Sequence, residues 1–250
     1  MTVFTAILLG FIQGLTEFLP VSSSGHLMLA QHFFNMPDNM LMFDIILHIA
    51  TLCAVVIVFR KKIIFLIRNP LCKTNYCLLI ATAITCTIVI LFKDQIDQTL
   101  TYKILPFTFM ITAILLFATS LINPKNSGEV GYKTSIIAGI AQGIAVIPGI
   151  SRSGSTIAAS LFTGARREAA AEFAFLMSIP IIIASFLFEL ISSPASAISL
   201  DPVPLLFGFA TALASGIFAI KFMLKIVKEI KLYWFSLYLV ALSITLLFIL

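Results

Sequence analysis

Polar residues are sparse along this chain, and their positions cut it into apolar runs. Six runs could cross a hydrocarbon core: Met40 to Phe59, Asn75 to Phe92, Ile104 to Ile122, Ala169 to Ile191, Val203 to Phe222 and Tyr233 to Leu250. Such a crossing takes about 20 helical residues. Two further pairs of runs are apolar but short. Thr2 to Leu19 and Ser23 to Phe34 are parted by Pro20 and serines, and Lys133 to Ile147 and Arg152 to Thr163 by Pro148-Gly149. Proline and glycine end helices and leave backbone groups unpaired. At membrane depth those groups survive only inside protein or beside water. The pattern predicts an all-α polytopic membrane protein, a single membrane domain over residues 1–250, with six transmembrane helices plus two re-entrant helical hairpins.

The two interrupted stretches are related. A shift of 129 positions places Gly10 on Gly139, Gln13 on Gln142, Gly14 on Gly143, Ser22 on Ser151, Ser24 on Ser153 and Gly25 on Gly154. The same shift carries the first three long runs onto the last three, so the chain reads as a duplication of residues 1–125 and 126–250. Three full spans per half is an odd number, which predicts an inverted-topology repeat.

Charge tests that orientation. The loop expected from Arg60 to Thr74 holds Arg60, Lys61, Lys62, Arg68 and Lys73, and the loop expected after the fifth span holds Lys221, Lys225, Lys228 and Lys231. Lys125, Lys133, Arg166 and Arg167 flank the second hairpin. With both termini outward, all of these lie inside and only Lys93 and Lys103 lie outside, as the positive-inside rule favours. The first hairpin is then expected to enter from the outer face, the second from the cytoplasm, and their tips to meet near the midplane.

Composition agrees with a membrane class: 60% of the 250 residues are hydrophobic and 11% charged, with mean hydropathy +1.10, whereas a soluble domain carries about 25% charged residues. A net charge of +5 would suit nucleic acid, but the cations sit between apolar spans. The expected partners are membrane lipids, with no nucleic acid; a homodimer is left open. Met1-Thr2-Val3-Phe4 lacks the basic start of a signal peptide and is read as structure. Cys53, Cys72, Cys77 and Cys86 show no metal-ligand spacing and read as small buried thiols.

The candidate chemistry lies at the interruptions. Gln13 and Glu17 are four apart and share a helical face. After the break, Ser23 and His26 share the next face, and the repeat sets Ser22 to Ser24 opposite Ser151 to Ser153, with Arg152 the counterpart of Ser23. A structural Glu17–Arg152 pair with capping serines accounts for part of this set. It does not account for Glu, His, Arg and the serines together, and ionisable clusters inside a membrane mark function. Helix N-termini at the tips, the close-approach glycines Gly25 and Gly154, and the Arg152 fork are anion-binding parts. A hydroxyl beside His26 or Glu17 adds a nucleophile and a base; the residues leave both Ser23 and His26 open as the nucleophile. Asp44 and His48 share a face of the first span, as a mutual hydrogen-bonded pair or in support of the site. Topology alone would equally suit a secondary transporter or flippase of an anionic solute or lipid phosphate.

Gln13-x-x-x-Glu17, Pro20-Val-Ser-Ser-Ser-Gly-His26 and Pro148-Gly-Ile-Ser-Arg-Ser-Gly154 resemble the two signature motifs of the undecaprenyl-diphosphate phosphatases, the bacitracin-resistance family. Phe43-Asp44-Ile-Ile-Leu-His48 is similar to a further pattern of that family, and the resemblance spans the chain. It implies removal of one phosphate from a polyprenyl diphosphate lipid in the bacterial cytoplasmic (inner) membrane, recycling the carrier for cell-wall synthesis, with the active site facing the periplasm. It also implies a divalent cation, Mg²⁺ or Ca²⁺. Glu17, Ser23, His26 and Arg152 match residues taken as catalytic, and Ser22, Ser24, Gly25, Ser151, Ser153 and Gly154 would hold the diphosphate. Gln13, Asp44 and His48 would support them, and Glu17 would share the ion with the substrate. The family pattern accepts Glu or Gln at position 13, which leaves Glu17 as the carboxylate.

Overall fold

The computed structural model describes residues 1–36, 40–97, 101–122, 128–192, 201–229 and 232–250. Lys125, Lys231 and Ser196 lie outside the described residues. In chain order the helices are α1 (Val3–Phe18), α2 (Ser23–Phe33), α3 (Leu41–Arg68), α4 (Lys73–Leu91), the short α5 (Lys93–Asp97), α6 (Leu105–Thr119), α7 (Tyr132–Ile144), α8 (Arg152–Phe162), α9 (Arg167–Ser192), α10 (Pro202–Glu229) and α11 (Tyr233–Ile249). Among the described residues no strand forms; Gly128 and Ala165 make a lone bridge. The protein is an all-α polytopic membrane protein.

Among the described residues, five helices are long and apolar enough to cross a membrane: Met42–Arg68, Lys73–Leu91, Tyr102–Thr119, Arg167–Phe188 and Pro202–Lys228. The sixth expected span, Tyr233 to Leu250, forms the 17-residue α11, about 25 Å long at 1.5 Å per residue. Two expected loops are helical instead. α3 continues past Phe59 to Arg68, and α10 continues past Phe222 to Glu229. In α10 the reason is visible in the sequence: Met223, Ile226 and Val227 are buried while Lys221, Lys225 and Lys228 stay exposed, an amphipathic pattern that sustains a helix beyond the apolar core. α3 makes the same extension across a break at Phe59, whose φ −95° and ψ 15° are non-helical.

The two short helix pairs end where the sequence breaks. Leu19 precedes Pro20 and is extended, at φ −72° and ψ 144°, because the proline ring crowds the helical conformation of the residue before it. α7 ends at Ala145, and the chain turns through Gly149 at φ 89°. A Cβ there would also collide with the Thr108 hydroxyl, so only glycine serves.

α1 packs along α10 and α7 along α4, both at glycine contacts. A Cβ on Gly10 would lie 2.3 Å from the Gly208 carbonyl oxygen, and one on Gly139 would lie 2.7 Å from that of Ala81. Gly10 and Gly139 correspond under the 129-residue shift, and their contact partners fall within two residues of doing so. The contacts at the tips correspond too: Gly25 closes on Gly149, and Gly154 on Pro20. A core that includes Phe18, Phe109, Phe175, Leu116 and Met223 fills the space beneath.

Candidate active site

Glu17 ends α1 with its carboxylate 2% exposed, and four side chains converge on it. Gln13, one turn earlier, donates from Nε2 to Oε2 at 3.0 Å. Ser23, the first residue of α2, donates from Oγ to the same oxygen at 2.6 Å. Arg152, the first residue of α8, donates from Nη2 to Oε1. His48 of α3 brings Nε2 to 3.7 Å from Oε2. Removing one partner of such a buried pair costs about 3–5 kcal/mol, because the other charge is stranded. The Arg152 Nη1 nitrogen is buried and unpartnered, leaving an unused donor beside the carboxylate.

Each new helix begins with a serine cap. Ser22 Oγ accepts the Gly25 N–H at 3.4 Å, and Ser151 Oγ accepts the Gly154 N–H at 3.0 Å. Ser22 and Ser24 hydroxyls lie 3.3 Å apart, as do those of Ser151 and Ser153. Ser153 Oγ also reaches across to the Leu19 carbonyl at 3.0 Å, tying the second tip to the first. The caps differ in one respect. Ser22 sits at φ 72°, whereas Ser151 has an ordinary φ of −71°. A non-glycine residue in that region costs on the order of 1–3 kcal/mol and persists only where its surroundings enforce it. The strain occurs on the half that turns Ser23 toward Glu17.

His26 stands apart from the carboxylate. Its Nδ1–H donates to the Ser22 carbonyl at 2.7 Å, and its Nε2 accepts from the Tyr238 hydroxyl at 2.7 Å. The ring stacks on Tyr238 and meets the edge of Phe109, so it faces α6 and α11. Asp44 and His48, open both as a mutual pair and as supports of the site, meet through the backbone. His48 Nδ1–H donates to the Asp44 backbone oxygen at 2.7 Å, while the Asp44 carboxylate accepts from Gln31 of α2 at 2.7 Å. Their four-residue spacing puts the ring over the preceding turn's carbonyl, which satisfies Nδ1 and leaves Nε2 for Glu17.

A cavity of about 330 Å³ opens over these groups, lined by Ser22, Ser23, Ser24, His48, Gln142 and Arg152 and walled by apolar residues such as Ile45, Val146, Ile150, Ile182 and Phe186. It can take a phosphate at one end and hydrocarbon along its wall. Gln142 and Tyr238 were not singled out from the sequence as site residues. The repeat offers a signal for Gln142, since Gln13 maps onto it. Its Nε2 donates to Thr85 at 3.2 Å, and its Oε1 is buried with no partner. For Tyr238 the one clue is a hydroxyl within an apolar span.

Among the described residues no three His, Cys, Asp or Glu side chains gather where a metal ion could bind. Both oxygens of the nearest carboxylate, Glu17, are already engaged. Among the described residues, the side chains around Glu17 do not assemble a divalent-cation ligand set of their own.

The sequence matches the family described as Bacitracin resistance protein BacA over residues 6–245. It is 45% identical to the undecaprenyl-diphosphatase of Treponema denticola, covering 98% of this chain and 96% of the relative. It is 40% identical to that of Carboxydothermus hydrogenoformans (99% and 97%) and 39% identical to that of Christiangramia forsetii (95% and 94%). A match that runs nearly from end to end, through both broken helix pairs and every residue around Glu17, places this chain in the bacitracin resistance protein BacA family.

Proposed function

We propose that the protein is an undecaprenyl-diphosphatase, hydrolysing undecaprenyl diphosphate to undecaprenyl phosphate and phosphate. This recycles the lipid carrier of cell-wall synthesis and protects against bacitracin. The observation that carries the chemistry is the Ser23 hydroxyl at 2.6 Å from a Glu17 oxygen whose carboxylate also binds Arg152. That is a nucleophile in contact with a base, beside a guanidinium with a donor to spare.

In this reading Ser23 Oγ attacks the terminal phosphorus while Glu17 takes its proton. The bond from that phosphorus to the bridging oxygen breaks, and undecaprenyl phosphate leaves. Water then opens the phosphoserine, giving a proton to the departing phosphate, and Glu17 returns the first proton to Ser23 Oγ. Arg152 Nη1 and the N–H groups opening α2 and α8 hold the equatorial oxygens as charge develops. The apolar wall takes the first isoprene units. His26 is a positioning residue: its bond to the Ser22 carbonyl favours the strained turn that aims Ser23. Its geometry supports Ser23 over His26 as the nucleophile.

Mg²⁺ or Ca²⁺, in this proposal, arrives on the diphosphate and supplies charge neutralisation there. The two halves form an inverted repeat of re-entrant hairpins, with both termini and the site facing the periplasm across the inner membrane. The reciprocal tip contacts support this reading.

Purified protein is expected to release phosphate from undecaprenyl diphosphate, and Ser23→Ala and Arg152→Ala to lose that activity. Wild-type levels of release by Ser23→Ala would remove serine from the mechanism. Solute movement without any phosphate release would return the protein to the transporter class.

A further inference from the structure

A second cavity, larger than the one over the Glu17 group, lies away from it. It encloses about 670 Å³ and is lined from α3, α9 and α10. The break at Phe59 redirects α3 there, and Arg60, Lys61 and Lys62 line the cavity with Lys221 of α10. Glu172 of α9 neutralises Lys62 at 2.8 Å. Arg60, Lys61 and Lys221 make no ion pair among the described residues. The cavity therefore holds three uncompensated cations. Its other wall is apolar, and Ile57 and Phe65 are 45% and 51% exposed.

This site is separate from the one described above. Phe59 lies 6.2 Å, centroid to centroid, from Phe175, and Phe175 lies 5.5 Å from Phe18. Phe18 and Phe175 in turn pack beside Glu17 and Arg152. Three rings thus stand between the basic cavity and the carboxylate.

We propose that this cavity binds the phosphate headgroup of an anionic lipid, with an acyl chain lying along Ile57 and Phe65. Cations at the end of an apolar span attract acidic headgroups by their charge. Free phosphate would gain nothing from the apolar wall, so a lipid is the matching ligand. The inference does not depend on the catalytic reading and can fail without it.

Native mass spectrometry of the detergent-purified protein tests this with dioleoylphosphatidylglycerol against dioleoylphosphatidylcholine. Arg60→Gln with Lys221→Gln is expected to weaken the tightest phosphatidylglycerol association about tenfold or more, leaving phosphatidylcholine unchanged. Arg68→Gln with Lys225→Gln removes the same charge outside the cavity and should leave that association intact. The charge-keeping pair Arg60→Lys with Lys221→Arg should bind like wild type. The proposal is overturned if the cavity variant binds phosphatidylglycerol normally, or if the Arg68/Lys225 control weakens it equally. Loss in the charge-keeping pair, or displacement of the lipid by millimolar inorganic phosphate, would overturn it as well.

Discussion

Glu17 holds Ser23, Gln13 and Arg152 on two oxygens, so its charge can be tested apart from its shape. Glu17→Gln keeps the side-chain outline and removes the base, and turnover should fall by about 10²–10⁴-fold. Gln13→Glu adds a second buried carboxylate one turn away. Like charges that close repel unless a cation lies between them, so the variant should stay active while needing less Mg²⁺. Turnover measured against Mg²⁺ concentration for both variants decides this; a dead Gln13→Glu beside a normal Glu17→Gln would misplace the carboxylate. Tyr238 makes a different prediction. Tyr238→Phe removes the hydroxyl from His26 Nε2 and with it about 1 kcal/mol of hydrogen bonding. A positioning role predicts a fall in kcat of up to about tenfold with KM unchanged. Restoration of full kcat in His26→Ala would show that the ring positions nothing.

The elements show how far the sequence could be read. The apolar runs and the breaks at Pro20 and Pro148 were legible because membrane spans and prolines leave strong local signals. The shared face of Gln13 and Glu17 followed from helical spacing, whereas Ser23 was grouped with His26 beyond the break. What spacing could not reveal was direction across elements. His26 and Ser23 share a helix start, yet one meets Tyr238, 212 residues away, and the other meets Glu17. The helical extensions of α3 and α10 were missed because charged residues were read as loop, although their periodicity still favoured a helix. The glycine contacts yield a prediction at this scale. A side chain at Gly10 would strike the Gly208 backbone, and overpacking of this kind costs about 1–3 kcal/mol. Gly10→Leu should lower the thermal unfolding temperature in detergent, whereas Leu at the exposed position Phe11 should leave it unchanged. Equal stability of the two would mean that α1 and α10 do not pack through this contact.

Across the whole molecule, the proposed base Glu17 and nucleophile Ser23 come from the first half of the chain and Arg152 from the second. The site is therefore complete only when the two tips meet. The proposed inverted repeat would achieve this by bringing hairpins from opposite faces to one level, and it predicts where the chain is reached by reagents. Cysteines placed at Lys62 and Lys228 should label from the cytoplasm, and those at Lys93 and Ser196 from outside; labelling of position 228 from outside would contradict the topology. The chemistry itself is tested most directly by a single turnover with undecaprenyl diphosphate labelled in its terminal phosphate, quenched in denaturant and mapped by peptide. The account predicts a transient label on Ser23 that is absent from Ser23→Ala. Label recovered on His26, or full-rate hydrolysis by Ser23→Ala, would contradict it.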